Sequence, residues 1–586
     1  MTEQLSLAPV VEIGGRSMEE AQYDALRSLR VERGLGVVGR ATLRFDDPGF
    51  ELSSNTPFGL GEQIRVKQFP STELFSGTVV GVSLEQAPAE QPQLVVIADD
   101  AAYKLTRGTK TTTHLQTTYT DAVQTILRKA GLKPQVSPVA GPNEYLLQAG
   151  SDLAFIDSIA TRIGYVWWVD ERIFHFAQAG TSTGQTTVTL NDDLDEFSVR
   201  ASALRPTEVT VSGWSVENLA TVSGNASRST VSSSPPDFVR PYINDAQSIG
   251  AARNGSGELS PSYQTEAQHA AQALFDESLT ASVVARGRGD VNGQIKPATT
   301  VQVDHAGPAS GTYYVTEVQH LYDATGFRTR FVAGSLRPSG LVDTLGRPEP
   351  DPGFALHGLV IGVVTNNQDP AGDGRVKVRY AGIPDNIDSN WARVLTTSGG
   401  KDRGMVFLPE VEDEVLVGFE GSDARRPVVL GALFSQQNKL PEAAKILGEG
   451  KVAYRRITSR LGHVIEFADG SVPTSQHVLI KLGTAEHSLR LGADACALEI
   501  AAGKPLTVKA GTAQFAISEQ GDVTIEGKNI TIKAAAELRM ESVQSSLKGT
   551  AQVQVQGAQV EVKGQTLASV EASGPLTLKG ATVAVN

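Results

Sequence analysis

Cysteine occurs once in the 586 residues, at Cys496. That excludes an internal disulfide and a multi-cysteine metal site, and it is the usage expected of a chain made in a reducing cytoplasm. No apolar run approaches the length of a membrane-spanning helix. The first thirty residues are polar, and Met18-Glu19-Glu20 breaks any apolar run, so no signal peptide is expected. Basic residues are in deficit: 52 Lys and Arg against 65 Asp and Glu leave a net charge of −13. Without a basic stripe to release counterions, nucleic acid and anionic bilayer surfaces are not expected as electrostatic partners. Aromatics run out as well, Phe515 being the only one after His477. A core without aromatics is thin, filled by Val, Ile, Leu and Ala.

What the C-terminal region does contain is a repeat. From Gly521 to Asn586, apolar residues are spaced by two: Val523 and Ile525, Ile530 and Ile532, Val553 and Val555, Val560 and Val562, Leu576 and Leu578, Val583 and Val585. Period two is a strand with one buried face. The positions between, such as Thr524, Glu526, Thr531, Lys533, Glu561 and Lys563, are polar. Strands this short bury one or two side chains per face, and no second apolar layer follows to cover them. The cover is therefore expected from other copies of the chain: three chains wound about one axis as a β-prism, with the first ten of these residues as trimer core. With one strand per eight or nine residues stacked about 4.8 Å apart, the rod would be on the order of 60 Å long.

The length suggests three or four domains. Residues 1–340 read as strand-rich, with two barrel-like stretches and two clear helices, Tyr119 to Leu127 and Ser151 to Ala160, each with an acid or hydroxyl at its start. Ser215 to Pro261, rich in Ser, Asn and Gly, reads as a long loop. A Pro, Gly and Asp linker at 341–355 precedes a module at 356–434, where five alternating runs without a long helix suggest a small closed barrel of the OB kind. Its aromatics are few and its loops acidic, as in Pro409-Glu410-Val411-Glu412-Asp413-Glu414, which argues against nucleic-acid binding. A connector at 435–475 and the prism at 476–586 complete a mainly β chain.

Three motifs tempt toward chemistry. Gly34-Leu35-Gly36-Val37-Val38-Gly39 has the phosphate-loop spacing, yet a strand follows it where a helix is required. Gly180-Thr181-Ser182-Thr183-Gly184 has nucleophile-elbow spacing but also opens into a strand. His463 and Glu466 lack a third ligand nearby. No catalytic residue, metal site or cofactor is expected.

Asp369-Pro370, Gly374-Arg375-Val376-Lys377-Val378, Trp391-Ala392-Arg393-Val394, Leu408-Pro409-Glu410-Val411 and Arg426-Pro427-Val428-Val429-Leu430-Gly431 together resemble the OB module of contractile-injection spikes. This family includes the VgrG proteins of type VI secretion and the spikes of extracellular injection particles and phage tails. Residues 1–340 are similar to its hub half, the phage late control gene D family. The resemblance implies a homotrimeric hub that joins a six-fold tail tube to a three-fold tip. Its implied partners are tube-initiator and baseplate proteins, cargo effectors, and a PAAR-type tip protein seated on Val583, Ala584, Val585 and Asn586. A target membrane would be met only by mechanical penetration, within an assembled particle or tail. The alternatives are an envelope-degrading enzyme with a fibrous targeting tail, and a trimeric adhesin.

Overall fold

The computed structural model describes residues 8–585 except 56–57, 89, 140–141, 202–205, 217, 232–235, 242–252, 257–260, 262, 335, 337–357, 382–386, 442–445 and 449. The expected linker at 341–355 and Asn586 therefore lie outside the described residues, as does part of the 215–261 stretch. The chain divides into two compact units, Met1–Leu440 and Pro441–Asn586.

Alternation of the kind seen in Arg40–Asp46, where Ala41, Leu43 and Phe45 are buried and the residues between them reach solvent, builds one continuous sheet in the first unit. Val10–Ile13, Leu26–Gly34, Arg40–Asp46, Gln63–Gln68, Thr72–Glu85 and Gln93–Asp99 make one half of it. Leu194–Ala201, Val283–Asp290, Gly311–Asp323 and Gly326–Ala333 make the other. The halves join where Gly311–Asp323 pairs with Leu26–Gly34, from Glu317 opposite Gly34 to Tyr322 opposite Leu29. Each half keeps its own core, one around Leu29, Phe45 and Ile64 and the other around Val301, Val315 and Phe331. The two barrel-like stretches are thus two cores under a shared sheet.

A separate α/β layer has a core of its own. The helix Tyr119–Lys129 starts at Thr118, whose Oγ1 accepts the Asp121 N–H at 3.0 Å, and Asp152–Ile163 starts at Ser151, whose Oγ accepts the Ala154 N–H at 3.1 Å. Gly164, at φ 71°, closes the second helix in the left-handed conformation. Both helices share one core with the hairpin Tyr165–Asp170 and Ile173–Gln178, built from Val123, Leu127, Phe155, Ile159, Trp167, Phe174 and Phe176.

The stretch read as a loop from Ser215 to Pro261 corrects that expectation. Ala220–Ala226 and Arg253–Ser256 flank the strand Val209–Ser215, and the nineteen-residue helix Gln264–Ser282, not foreseen in the sequence, covers this small sheet. Close approach explains Gly224, where a Cβ would lie 2.1 Å from the Ala267 carbonyl oxygen. Small residues that look like a loop are here the condition for helix-on-strand contact.

In the OB module the sheet runs Lys377–Tyr380, Val360–Asn366, Glu414–Phe419, Pro427–Ala432, Arg393–Val394. Paired bonds between Val376 and Ala392, at 2.9 and 2.7 Å, bring its ends together around Val364, Val378, Val415, Val417 and Val429.

The second unit opens with an antiparallel meander of Tyr454–Thr458, Val464–Asp469, Gln476–Lys481, Ser488–Gly492 and Cys496–Glu499. It therefore crosses the expected connector–prism boundary at 475–476. A three-stranded meander follows, Leu506–Ala510, Ala513–Ile517 and Val523–Glu526. From there to 585 the described chain forms no ladder with itself and is punctuated by bends at 528–529, 535–536, 543–544, 550–551, 558–559, 565–566, 573–574 and 581, seven or eight residues apart. The repeat is shorter than the eight or nine residues expected from the sequence.

Candidate functional site: an assembly surface and a barrel joint

The apolar residues of the second unit fall into register. In the first meander Ile457, Ile465, Ile480, Leu489 and Leu498 stand directly opposite one another across five strands. In the next, Val508, Phe515 and Ile525 do the same. All eight are partly exposed, from 37 % at Phe515 to 57 % at Val508, so one face of each sheet is apolar and uncovered. From Ile525 the pattern continues along the bends: Ile525, Ile532, Met540, Leu547, Val555, Val562, Val570, Leu578 and Val585 recur every seven or eight residues, each more than half exposed. The same interval adds Leu538, Met540, Leu547 and Val570 to the residues expected from the sequence; Leu547 and Val570 lack an apolar partner two residues before them, where Ser545 and Ala568 stand, whereas Leu538 and Met540 form a pair like the others. Val523, Ile530, Val553, Val560, Leu576 and Val583 are the less regular companions of this row, and Val583, Ala584 and Val585 stand at its end.

A second feature lies within the first unit, where the OB module meets the α/β layer. Arg162 from the last turn of one helix, Glu266 from the first turn of another, and Asp423 and Arg425 from the turn before Pro427 form a buried cluster of two cations and two anions. Asp423 Oδ2 accepts from Arg162 Nη2 at 3.2 Å and Arg425 Nη2 at 2.8 Å, and Glu266 Oε1 accepts from the same two arginines at 3.0 and 2.8 Å. Burial alone would raise the Asp423 carboxyl, but the Arg425 and Arg162 guanidiniums outweigh it and hold the group well below the usual carboxylate range. Tyr145 and Leu147 pack beside the cluster on Ala424 and Ile387. Every charge in the cluster thus has a fixed opposite partner, which offsets the cost of burying it. Its sequence signal was slight: Arg425 adjoins the Arg426-Pro427 motif, while Arg162 and Glu266 lie far away in the chain.

The motifs set aside in the sequence are structural. Gly34–Gly39 is a turn into the strand Arg40–Asp46, with Gly36 at φ 69°. Ser182 Oγ donates to the Gly184 carbonyl at 2.8 Å. His463 and Glu466 are not partners: His463 Nδ1 accepts the Gly483 N–H at 3.0 Å, while Glu466, 3 % exposed, pairs with Arg456 and with His477 Nε2 at 3.1 Å. Among the described residues no group of three or more His, Cys, Asp or Glu is placed to hold a metal. No helix among them is long and apolar enough to cross a membrane.

Comparison with known proteins matches this architecture in two stretches. Residues 360–434 match the type VI secretion system/phage-baseplate injector OB domain, and residues 9–323 match the Alg8 N-terminal domain. Among curated proteins of Pseudomonas aeruginosa, the type VI secretion system spike protein VgrG5 is 37 % identical over 131 residues, 20 % of this chain and 15 % of the relative. VgrG2a is 29 % identical over 167 residues, 27 % of this chain and 18 % of the relative. The chain thus spans less than a fifth of the length of these relatives. Among solved structures, the E. coli c3393 protein, a type VI secretion component, is 14 % identical with a TM-score of 0.45, covering 70 % of this chain and 96 % of that one. A Francisella PdpA–VgrG complex is 8 % identical with a TM-score of 0.46, covering 88 % and 80 %. With residues 9–323, more than half of the chain, matched by the one model and 360–434 by the other, the chain belongs to the Alg8 N-terminal domain family and carries an injector OB domain.

Proposed function

We propose that this protein is the structural central spike of a contractile injection machine, a homotrimer whose residues 1–340 form the hub, 356–434 the OB collar and 476–586 the rod. The observation that carries this reading is the uncovered apolar row from Ile457 to Val585, backed by polar positions such as Lys509, Thr524 and Lys563. A single chain gains nothing by exposing sixteen apolar side chains in one row, whereas three chains can turn them onto one dry axis. On this reading Val523, Ile525, Ile530, Ile532, Val553, Val555, Val560, Val562, Leu576 and Leu578 are trimer core, joined by Leu538, Met540, Leu547 and Val570. The injector OB domain and the VgrG relatives support the class of machine.

The mechanism is mechanical. Short strands wound across an axis put a hydrogen-bond ladder along the direction of thrust, and polar outer positions leave nothing to adhere during passage. The Arg162–Glu266–Asp423–Arg425 cluster would keep the OB collar from swivelling on the hub under that thrust. The hub would engage tube-initiator and baseplate proteins, with cargo effectors as further partners, and Val583–Val585 would seat a PAAR-type tip protein. No catalytic step is assigned, and puncture is the only encounter with the target membrane.

Light scattering on the full chain and on a chain lacking Gly521–Asn586 tests the reading. The expected result is a mass of three chains that is lost or weakened by truncation. A full-length monomer would overturn it, as would release of fragments from peptidoglycan by the purified chain.

A further inference from the structure

On the face of the first-unit sheet that points away from its two cores, one row of polar side chains crosses six neighbouring strands. Glu196, Arg288, Arg330, Gln319, Glu32 and Arg40 each stand directly opposite the next. Arg288 and Arg330 are like charges at facing positions, an arrangement that destabilises a sheet. Arg286, two residues along its strand, adds a third guanidinium to the same face. Only Arg288 is compensated, by Glu196 at 2.8 Å, whereas Arg286 and Arg330 are exposed and have no hydrogen-bond or ion-pair partner among the described residues. All three line a groove of about 760 Å³ whose walls also include Leu35, Val37 and Phe197. In a chain of net charge −13, this is a local surplus of positive charge held together against its own repulsion.

We propose that this groove binds an extended acidic peptide segment of a partner protein. Carboxylates of the segment would pair with Arg286 and Arg330, where the planar guanidinium offers two parallel donors to each. Its apolar side chains would lie against Val37 and Phe197. A peptide fits better than a polyphosphate or nucleic acid because Glu32, Glu196 and Glu317 share the same walls. They repel a continuous line of phosphates but accept backbone N–H groups from a peptide whose charges are spaced. The acidity of the remaining chain disfavours a generally acidic partner, so attraction is confined to this groove. The binding site does not depend on the spike reading, and its test has a separate readout.

The experiment uses the full chain and a short fluorescein-labelled peptide of alternating glutamate and valine, followed by fluorescence anisotropy at low and high salt. Saturable binding that weakens with salt is expected for the wild type. The Arg286→Ser/Arg330→Ser variant should bind at least about tenfold more weakly, with a Tm equal to or above that of the wild type because the Arg288–Arg330 repulsion is relieved. The charge-matched control Arg107→Ser/Arg128→Ser should bind as the wild type does. Equal binding by wild type and groove variant would overturn the proposal, as would tighter binding of inorganic polyphosphate than of the peptide. A lowered Tm would mark the arginines as structural, and a change in oligomeric mass would assign the groove to a contact between copies; either result also overturns it.

Discussion

Placing a carboxylate in the proposed rod separates assembly from folding. Val555 is 68 % exposed and Ile532 64 % exposed in the single chain, so Val555→Asp or Ile532→Asp costs the isolated chain almost nothing. In a trimer the same change acts three times. Each chain forgoes the burial of most of one aliphatic side chain, about 1–2 kcal/mol, and must either bury a carboxylate or protonate it, at a further cost of about 2 kcal/mol or more. The sum over three chains is on the order of 10 kcal/mol, roughly seven decades in the association constant. A loss of that size is comparable to the whole net stability of a folded domain, so one substitution is enough to decide the outcome.

The assay is light scattering across a urea titration at pH 7.5, with Lys563→Asp as an outward-facing control. The expected order is wild type and Lys563→Asp trimeric together, with the two inner variants dissociating at much lower urea. Lowering the pH should restore part of the loss, because three aspartates crowded on one axis are protonated more readily than free ones. If the inner variants and the outer control dissociate at the same urea concentration as the wild type, the row is not an interface and the trimer argument fails.

Asp423→Ala leaves the Arg162 and Arg425 guanidiniums with Glu266 as their remaining acidic partner in the cluster, and is expected to destabilise the first unit by about 3–5 kcal/mol in urea unfolding. Because the folded-state pKa of Asp423 is depressed, its contribution is present above the ordinary carboxylate pKa and is lost as pH falls below it, so wild type and variant should converge in stability in strong acid. Asp100 has the opposite sign: burial raises its carboxyl to about 7, against the Ala102 and Gly39 N–H groups that it accepts at 2.8 and 2.7 Å. Its ionisation therefore costs stability as pH rises from the ordinary carboxylate range through about 7, and Asp100→Asn should remove that slope from the stability profile. Gly224→Val should lift the Gln264–Ser282 helix off its strand, lowering stability by roughly 1–3 kcal/mol and opening 215–261 to limited proteolysis, whereas a mere loop there would leave both unchanged.

How much of this was legible in the sequence depended on whether a residue's partner lay within reach of a local pattern. The helices at Tyr119 and Ser151 were visible because a cap and a 3.6-residue period are written in adjacent residues, and the OB strands because each alternates on its own. The apolar pairs Val523 to Val585 were visible for the same reason. Their interval was misjudged because Ser545 and Ala568 blur the first member of two pairs while Leu547 and Val570 keep the second. The small sheet under Gln264–Ser282 was invisible, since Ser, Asn and Gly signal a loop when read alone and close packing only when Ala267 is known to lie above Gly224. The ion cluster was hidden more deeply. Arg162, Glu266 and Asp423 come from three separate parts of the chain, each an ordinary surface charge by composition, and only the fold turns them inward together. The arginine row is the extreme case. Residues 196, 288, 330, 319, 32 and 40 have no order along the chain, and register alone makes them neighbours. A sequence announces a site when its chemistry is local. A surface built by strand pairing across three hundred residues has to be read from the sheet, and there a facing pair of like charges is a cost that folding alone does not explain.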